Sequence, residues 1–170
     1  RLCAVLDKKR TSYLLDNESK HSGHLLNALL FKMPEPFHQP AVKEFQRFDD
    51  SYQETWEQTS RNFVATVNKS SEYMNWRYVD HPIFSYFRHV YTNSKKKRVY
   101  IVWRSEYVTE KKVTVARICE IIGSSEDLSE AILSFIHELF SRDIVFTDFF
   151  CTNDAINNAL TAIGFYEVIP

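Results

Sequence analysis

The chain has 170 residues, 44% of them hydrophobic and 15% aromatic, enough to bury one substantial core around a single main domain. Its 21 basic side chains balance 22 acidic ones, which removes any general pull toward nucleic acid or an anionic membrane surface and leaves Lys95-Lys96-Lys97-Arg98 as the one basic patch. No run approaches the ~18 consecutive apolar residues of a membrane span and no secretory signal is visible, so the expectation is a cytoplasmic protein with neither a nucleic-acid nor a membrane partner.

The sequence opens on Arg1, already inside the apolar run Leu2–Leu6, and this reads as the C-terminal portion of a longer protein with an upstream domain. Leu2–Leu6 and Ser12–Leu15 flank the polar stretch Asp7–Arg10, a hairpin pattern. A short apolar helix at His24–Phe31 is stopped by Met33–Pro40, where Pro34, Pro36 and Pro40 force an extended linker. The first 40 residues are therefore expected to be the tail of a preceding domain, and the main domain to run from 41 to 170.

Ala41–Phe48 suits a first strand. Asp49 or Asp50 caps a helix over Ser51–Ser60, and Ser70 or Ser71 caps another over Ser70–Val79, which ends before His81-Pro82. Ile83–Thr92, Arg98–Tyr107 and Val113–Ile122 read as an antiparallel meander. A helix from about Glu126 to Arg142 carries Leu128, Ile132, Phe135, Ile136 and Leu139 on one face. Ile144–Phe150 is a buried strand, Asp154–Ile163 a helix capped by Asn153 or Thr152, and Tyr166–Ile169 a last short strand. Cys3, Cys119 and Cys151 are odd in number and widely spaced, the pattern of reduced core thiols; no metal site is expected.

A meander, a crossover helix, a strand and a helix closing on Asn153-x-Ala155…Leu160…Gly164-Phe165 make an α+β domain, a mixed sheet flanked by helices. That order and ending resemble the GNAT acyltransferase family over about residues 41–170. Trp76-Arg77-Tyr78-Val79-Asp80-His81-Pro82 is similar to a W-R-Y-x-x-H-P signature in bacterial GNAT-like proteins, several encoded with surface-polysaccharide biosynthesis. The resemblance implies transfer of an acyl group from acetyl-CoA or another acyl-CoA to a small-molecule amine, such as an amino sugar. It places a proton-accepting carboxylate at Glu120, and cofactor contacts at Gly123, Ser124 and Asn153.

The residues themselves qualify that picture. A pyrophosphate at a helix N-terminus wants bare backbone N–H groups, whereas Gly123 is followed by Ser124-Ser125-Glu126-Asp127. Glu126 and Asp127 repel a phosphate, and Ser124 with Asp127 has the spacing of a capping box. Strict alternation puts Glu120 on one face with Ile118 and Ile122, buried or at a cleft, with a carboxyl raised toward base work or paired with Arg104 or Arg77. Trp76 and Tyr78 can stack on a planar group, Arg77 can fork an anion and His81 can shuttle a proton; alternatively Trp76 fills the core while Arg77 and Asp80 hold the helix end. Asp148, in an apolar strand, needs a cationic partner or a place facing the acyl-donor cleft that the resemblance implies beside that strand. Two functions stay open: an N-acyltransferase, and a catalytically degenerate GNAT-like binding module beside an upstream domain or in a homodimer.

Overall fold

The computed structural model describes residues 2–11, 30–34, 41–61, 63, 65–93 and 95–167. In chain order these form β1 (Leu2–Val5), a single helical turn α1 (Lys8–Thr11), β2 (Ala41–Glu44), α2 (Asp50–Ser60), α3 (Ser71–Tyr78), β3 (Phe87–Thr92), β4 (Arg98–Val108), β5 (Val113–Ile122), α4 (Leu128–Ser141), β6 (Ile144–Phe149), α5 (Asp154–Ala162) and β7 (Tyr166–Glu167). All seven strands share one sheet, in the order β2-β3-β4-β5-β6-β1-β7.

Alternation along β4 explains the layers. Val99, Ile101 and Trp103 point into an apolar cluster with Leu128, Phe135 and Leu139 of α4 and Leu160 of α5. Tyr100 and Val102 point the other way, against Tyr52 and Trp56 of α2 and Met74 and Tyr78 of α3. The strand is thus covered on both faces, and each fully buried apolar side chain contributes about 1.5–3 kcal/mol.

The helices start where the sequence predicts. The Asp49 carboxylate accepts the N–H groups of Ser51 and Tyr52 at 3.0 and 3.2 Å. Ser70 Oγ accepts that of Tyr73 at 3.2 Å, and Asn153 Oδ1 that of Ile156 at 3.0 Å. At the end of α5, Gly164 adopts φ 109°, which a side chain disfavours, and this lets Phe165 N–H reach Leu160 O while the Phe165 ring fills the core. The Gly-Phe ending is therefore a helix stop.

β5 and β6 run parallel from Thr114 opposite Ile144 to Ile118 opposite Phe149, as the crossover through α4 requires, and the remaining strand neighbours are antiparallel. Past Ile118 and Phe149 the pairing stops and the two strands part. On its other side β5 carries a bulge: Val102 faces Glu120 but Trp103 faces Ile118, so Cys119 is an extra residue.

Several expectations are corrected. Ser12–Leu15, the expected hairpin partner of β1, lies outside the described residues, as does nearly all of the expected His24–Phe31 helix; Leu30 bridges Val5. β1 pairs with β6 on one side and β7 on the other, and Leu2 and Ala4 join the α4 and α5 core, so the boundary expected at residue 41 does not divide the sheet. The expected first strand stops at Glu44. The β3 strand begins only at Phe87, because the N–H groups of Ile83 and Phe84 turn back onto His81 Nδ1 at 3.2 and 3.0 Å. The Ser124–Asp127 capping box does not form: Ser124 makes no side-chain cap, and Asp127 accepts a 2.6 Å hydrogen bond from Asn93 Nδ2.

Candidate functional site

The strand separation opens a cleft of about 510 Å³, walled by Ile121, Ile122, Phe149 and Ile156 and crossed by Lys69, Cys119, Glu120 and Asn153. A second cleft, of about 410 Å³, is lined by Arg77, Tyr78, Tyr86, Arg117, Asp148 and Phe150. The two meet at Cys119 and Phe150, which line both.

Glu120 is buried on the α2 and α3 side of the sheet, and the bulge puts it there. Ile118 belongs to the α4 core, but the extra residue Cys119 reverses the alternation, so Glu120 shares its face with Ile122 and not, as expected, with Ile118. Its partner is neither Arg104 nor Arg77. Lys69 Nζ lies 2.5 Å from Glu120 Oε2, and Tyr78 Oη donates to Glu120 Oε1 at 2.8 Å. Tyr78 Oη in turn accepts from Arg77 Nε at 2.9 Å, and Arg77 Nη1 donates to Tyr73 Oη at 3.1 Å. Burial first, then the Glu120 charge, holds the Tyr78 phenol above its ordinary range, so it stays protonated and keeps donating.

Lys69 is delivered by packing that sequence reading missed. Tyr52 Oη donates to Lys69 O at 2.9 Å and Trp56 Nε1 to Asn68 Oδ1 at 3.1 Å, so two core aromatics of α2 fix the loop just before the α3 cap. Arg88 of β3 anchors the far end of the site, donating to the carbonyls of Tyr78 and Tyr86 at 3.1 and 2.9 Å. Only the proximity of Lys69 to the Ser70 cap hinted at its position.

The other expected residues are placed as follows. Trp76 is 65% exposed on α3, tilted against Tyr73, so it does not fill the core. Arg77 does not pair with Asp80, which forms a two-pronged 2.9 Å bridge to Arg47 that lowers its carboxyl below the usual range. Among the described residues Arg77 has no carboxylate partner. His81 packs against Phe84 and Tyr86 with Nδ1 taken by the turn, beside the second cleft rather than in its lining. Asp148 is buried and bound by Arg117 through Nε and Nη2 at 3.2 and 3.3 Å, and it lines the second cleft, not the one between β5 and β6.

Gly123 and Ser124 do not line either cleft. Gly123 is needed for close packing, since a Cβ there would lie 2.8 Å from Val99 Cγ2. Asn153 lines the larger cleft, with its Oδ1 occupied as a helix cap. Cys119 and Cys151 are free thiols, and burial pushes the Cys119 thiol up to about 11. Among the described residues no cluster of His, Cys, Asp and Glu could hold a metal ion, and no helix is long and apolar enough to cross a membrane.

No family model and no curated protein matches the sequence. Solved structures do: three of Saccharomyces cerevisiae N-myristoyltransferase with bound myristoyl-CoA align with TM-scores of 0.64, 0.60 and 0.59 at 9%, 11% and 11% identity. They cover 95%, 96% and 96% of this chain but 45%, 45% and 46% of their own, so the chain spans less than half their length. At such identity the likeness establishes the fold, an α+β GNAT-like acyltransferase fold with a mixed central sheet between helices.

Proposed function

We propose that this domain transfers an acyl group from an acyl thioester to an amine, with the donor in the cleft between β5 and β6. The observation that carries the reading is the opening of that cleft at the Cys119 bulge, with an ion-paired carboxylate, Glu120, in its wall. The solved structures of the same fold are described with bound myristoyl-CoA, which supports an acyl-CoA as donor class.

The residues fit one end of such a donor better than the other. Ile121, Ile122, Phe149 and Ile156 suit an acyl chain and its apolar arm. At the N-terminus of α4, however, Glu126 is exposed and Asp127 precedes the first turn, where both oppose a pyrophosphate. When bound, the donor supplies an activated carbonyl. Glu120 takes the proton that the amine sheds as the N–C bond forms and the donor's C–S bond breaks. Lys69 and Tyr78 hold the two carboxylate oxygens in place, and Tyr78 also lines the second cleft, where the acceptor binds beside Arg77; Trp76, exposed on the same helix, lies outside that lining. The Trp76–Pro82 signature supports an amino-sugar acceptor in a bacterial, cytoplasmic setting of polysaccharide synthesis.

The acidic turn before α4 favours a second reading, a domain that has lost catalysis and serves as a binding module. Thiol release from acetyl-CoA, myristoyl-CoA and acetyl-pantetheine over a panel of amines separates the two. The acyltransferase reading expects turnover, with acetyl-pantetheine used about as well as acetyl-CoA because the phosphates gain nothing. Glu120→Gln should lower turnover by about 10²–10⁴-fold with the fold intact. Unchanged turnover in the folded variant moves the base to Asp148, and no thiol release with any donor leaves the binding module.

A further inference from the structure

We propose that the smaller cleft binds an acceptor carrying an anionic group, a carboxylate or a phosphate, beside its amine, and that Arg77 is the residue that selects it. The argument rests on which charges in that cleft are already spent. Arg117 is neutralised by its two hydrogen bonds to buried Asp148, with Glu106 a further 3.8 Å contact. Glu120 is neutralised by Lys69 on the far side of Tyr78. Arg77 remains. Its only partners among the described residues are the neutral phenols of Tyr73 and Tyr78, which hold Nε and Nη1 at 2.9 and 3.1 Å and leave its other N–H groups to the cleft.

That arrangement is a clamp rather than a loose surface charge. The two phenols fix the plane of the guanidinium, and Tyr78 is itself fixed by Glu120 and by Arg88 at its carbonyl. A planar fork held in this way suits a two-oxygen anion, and the walls of Tyr78, Tyr86 and Phe150 take the apolar body of the ligand. The floor at Cys119 and Phe150 adjoins the larger cleft, so a molecule anchored by its anion at Arg77 extends toward Glu120. Placing an amine there rests on the acyl-transfer reading; recognition of the anion does not.

The test is direct binding without any acyl donor, by calorimetry or by NMR titration, of two matched pairs: alanine against alaninamide, and glucosamine 6-phosphate against glucosamine. The anion-bearing member of at least one pair should bind about tenfold or more tightly than its partner lacking the anion, and which pair responds separates a carboxylate from a phosphate. Arg77→Gln should abolish the difference and Arg77→Lys retain part of it. Tyr73→Phe, which removes one of the two supports but no charge, should weaken the difference without abolishing it. Because Arg77 is exposed, the variants should fold, and circular dichroism checks this. Equal affinity within both pairs, no detectable binding of either anion-bearing compound, or a preference that survives Arg77→Gln overturns the proposal. Selective binding without thiol release on adding an acyl-CoA sinks the acyl-transfer reading instead and leaves this one standing.

Discussion

At the scale of single residues, Lys69 is the addition with the largest consequence. Replacing it by Met leaves the Glu120 carboxylate mostly buried with one phenol for a partner, and the chain should lose about 1–3 kcal/mol of stability. A chemical denaturation midpoint reads this, and adding Glu120→Gln to the same chain should restore part of it. Glu138 adds an acid-sensitive contribution to stability. Burial raises its carboxyl, but the hydrogen bond and charge of His89 and the charge of Arg142 outweigh that and hold it below the ordinary glutamate value of 4.5. Tyr91 also faces it. A depressed folded value stabilises above 4.5 and is lost as pH falls below it, so Glu138→Gln should flatten the fall of melting temperature between about pH 5 and 3. Glu120 was legible as a candidate because a charge in an apolar strand is conspicuous. Its partners were not, since Lys69 reaches it through a loop whose path depends on Tyr52 and Trp56, and no local pattern encodes that path.

Among the elements, β4, β5 and α4 were readable almost to the residue, because each buries a periodic face. The bulge in β5 was not. It is a mismatch between two strands, visible only once Val102 is set against Glu120 and Trp103 against Ile118. Cys119 and Glu120 both lie on the α2 and α3 side, so deleting Cys119 restores a regular ladder without turning any later side chain to the wrong face. A one-residue deletion inside a buried strand should accordingly still give a folded protein by circular dichroism, while the cleft between β5 and β6 closes and thiol release is lost. An unfolded product would show that the bulge holds the sheet together. The Ser124–Asp127 turn taught the opposite lesson: its spacing fits a capping box, yet Asp127 is drawn to Asn93, a residue on the β3–β4 turn.

For the whole molecule, the segment least legible in the sequence is the first. Leu2–Val5 has the local pattern of half a hairpin, whereas it lies between β6 and β7, and only tertiary contact reveals it. A chain begun at Ala41 would expose the Ile144–Phe149 edge and empty Leu2, Ala4 and Leu6 from the core, so it should lose cooperative thermal unfolding and self-associate on size exclusion. Unchanged cooperativity would mean that β1 is an accessory strand. Its position also orders events in time. Leu2 meets Phe149 and Cys3 meets Asp148, partners separated by nearly the entire sequence. During synthesis the first strand waits, sticky and unpaired, until the last third of the chain has left the ribosome, and sheet closure becomes a late, high-contact-order step. The two clefts straddle strands that this step locks, so a nascent domain has α2, α3 and its meander before it has a site.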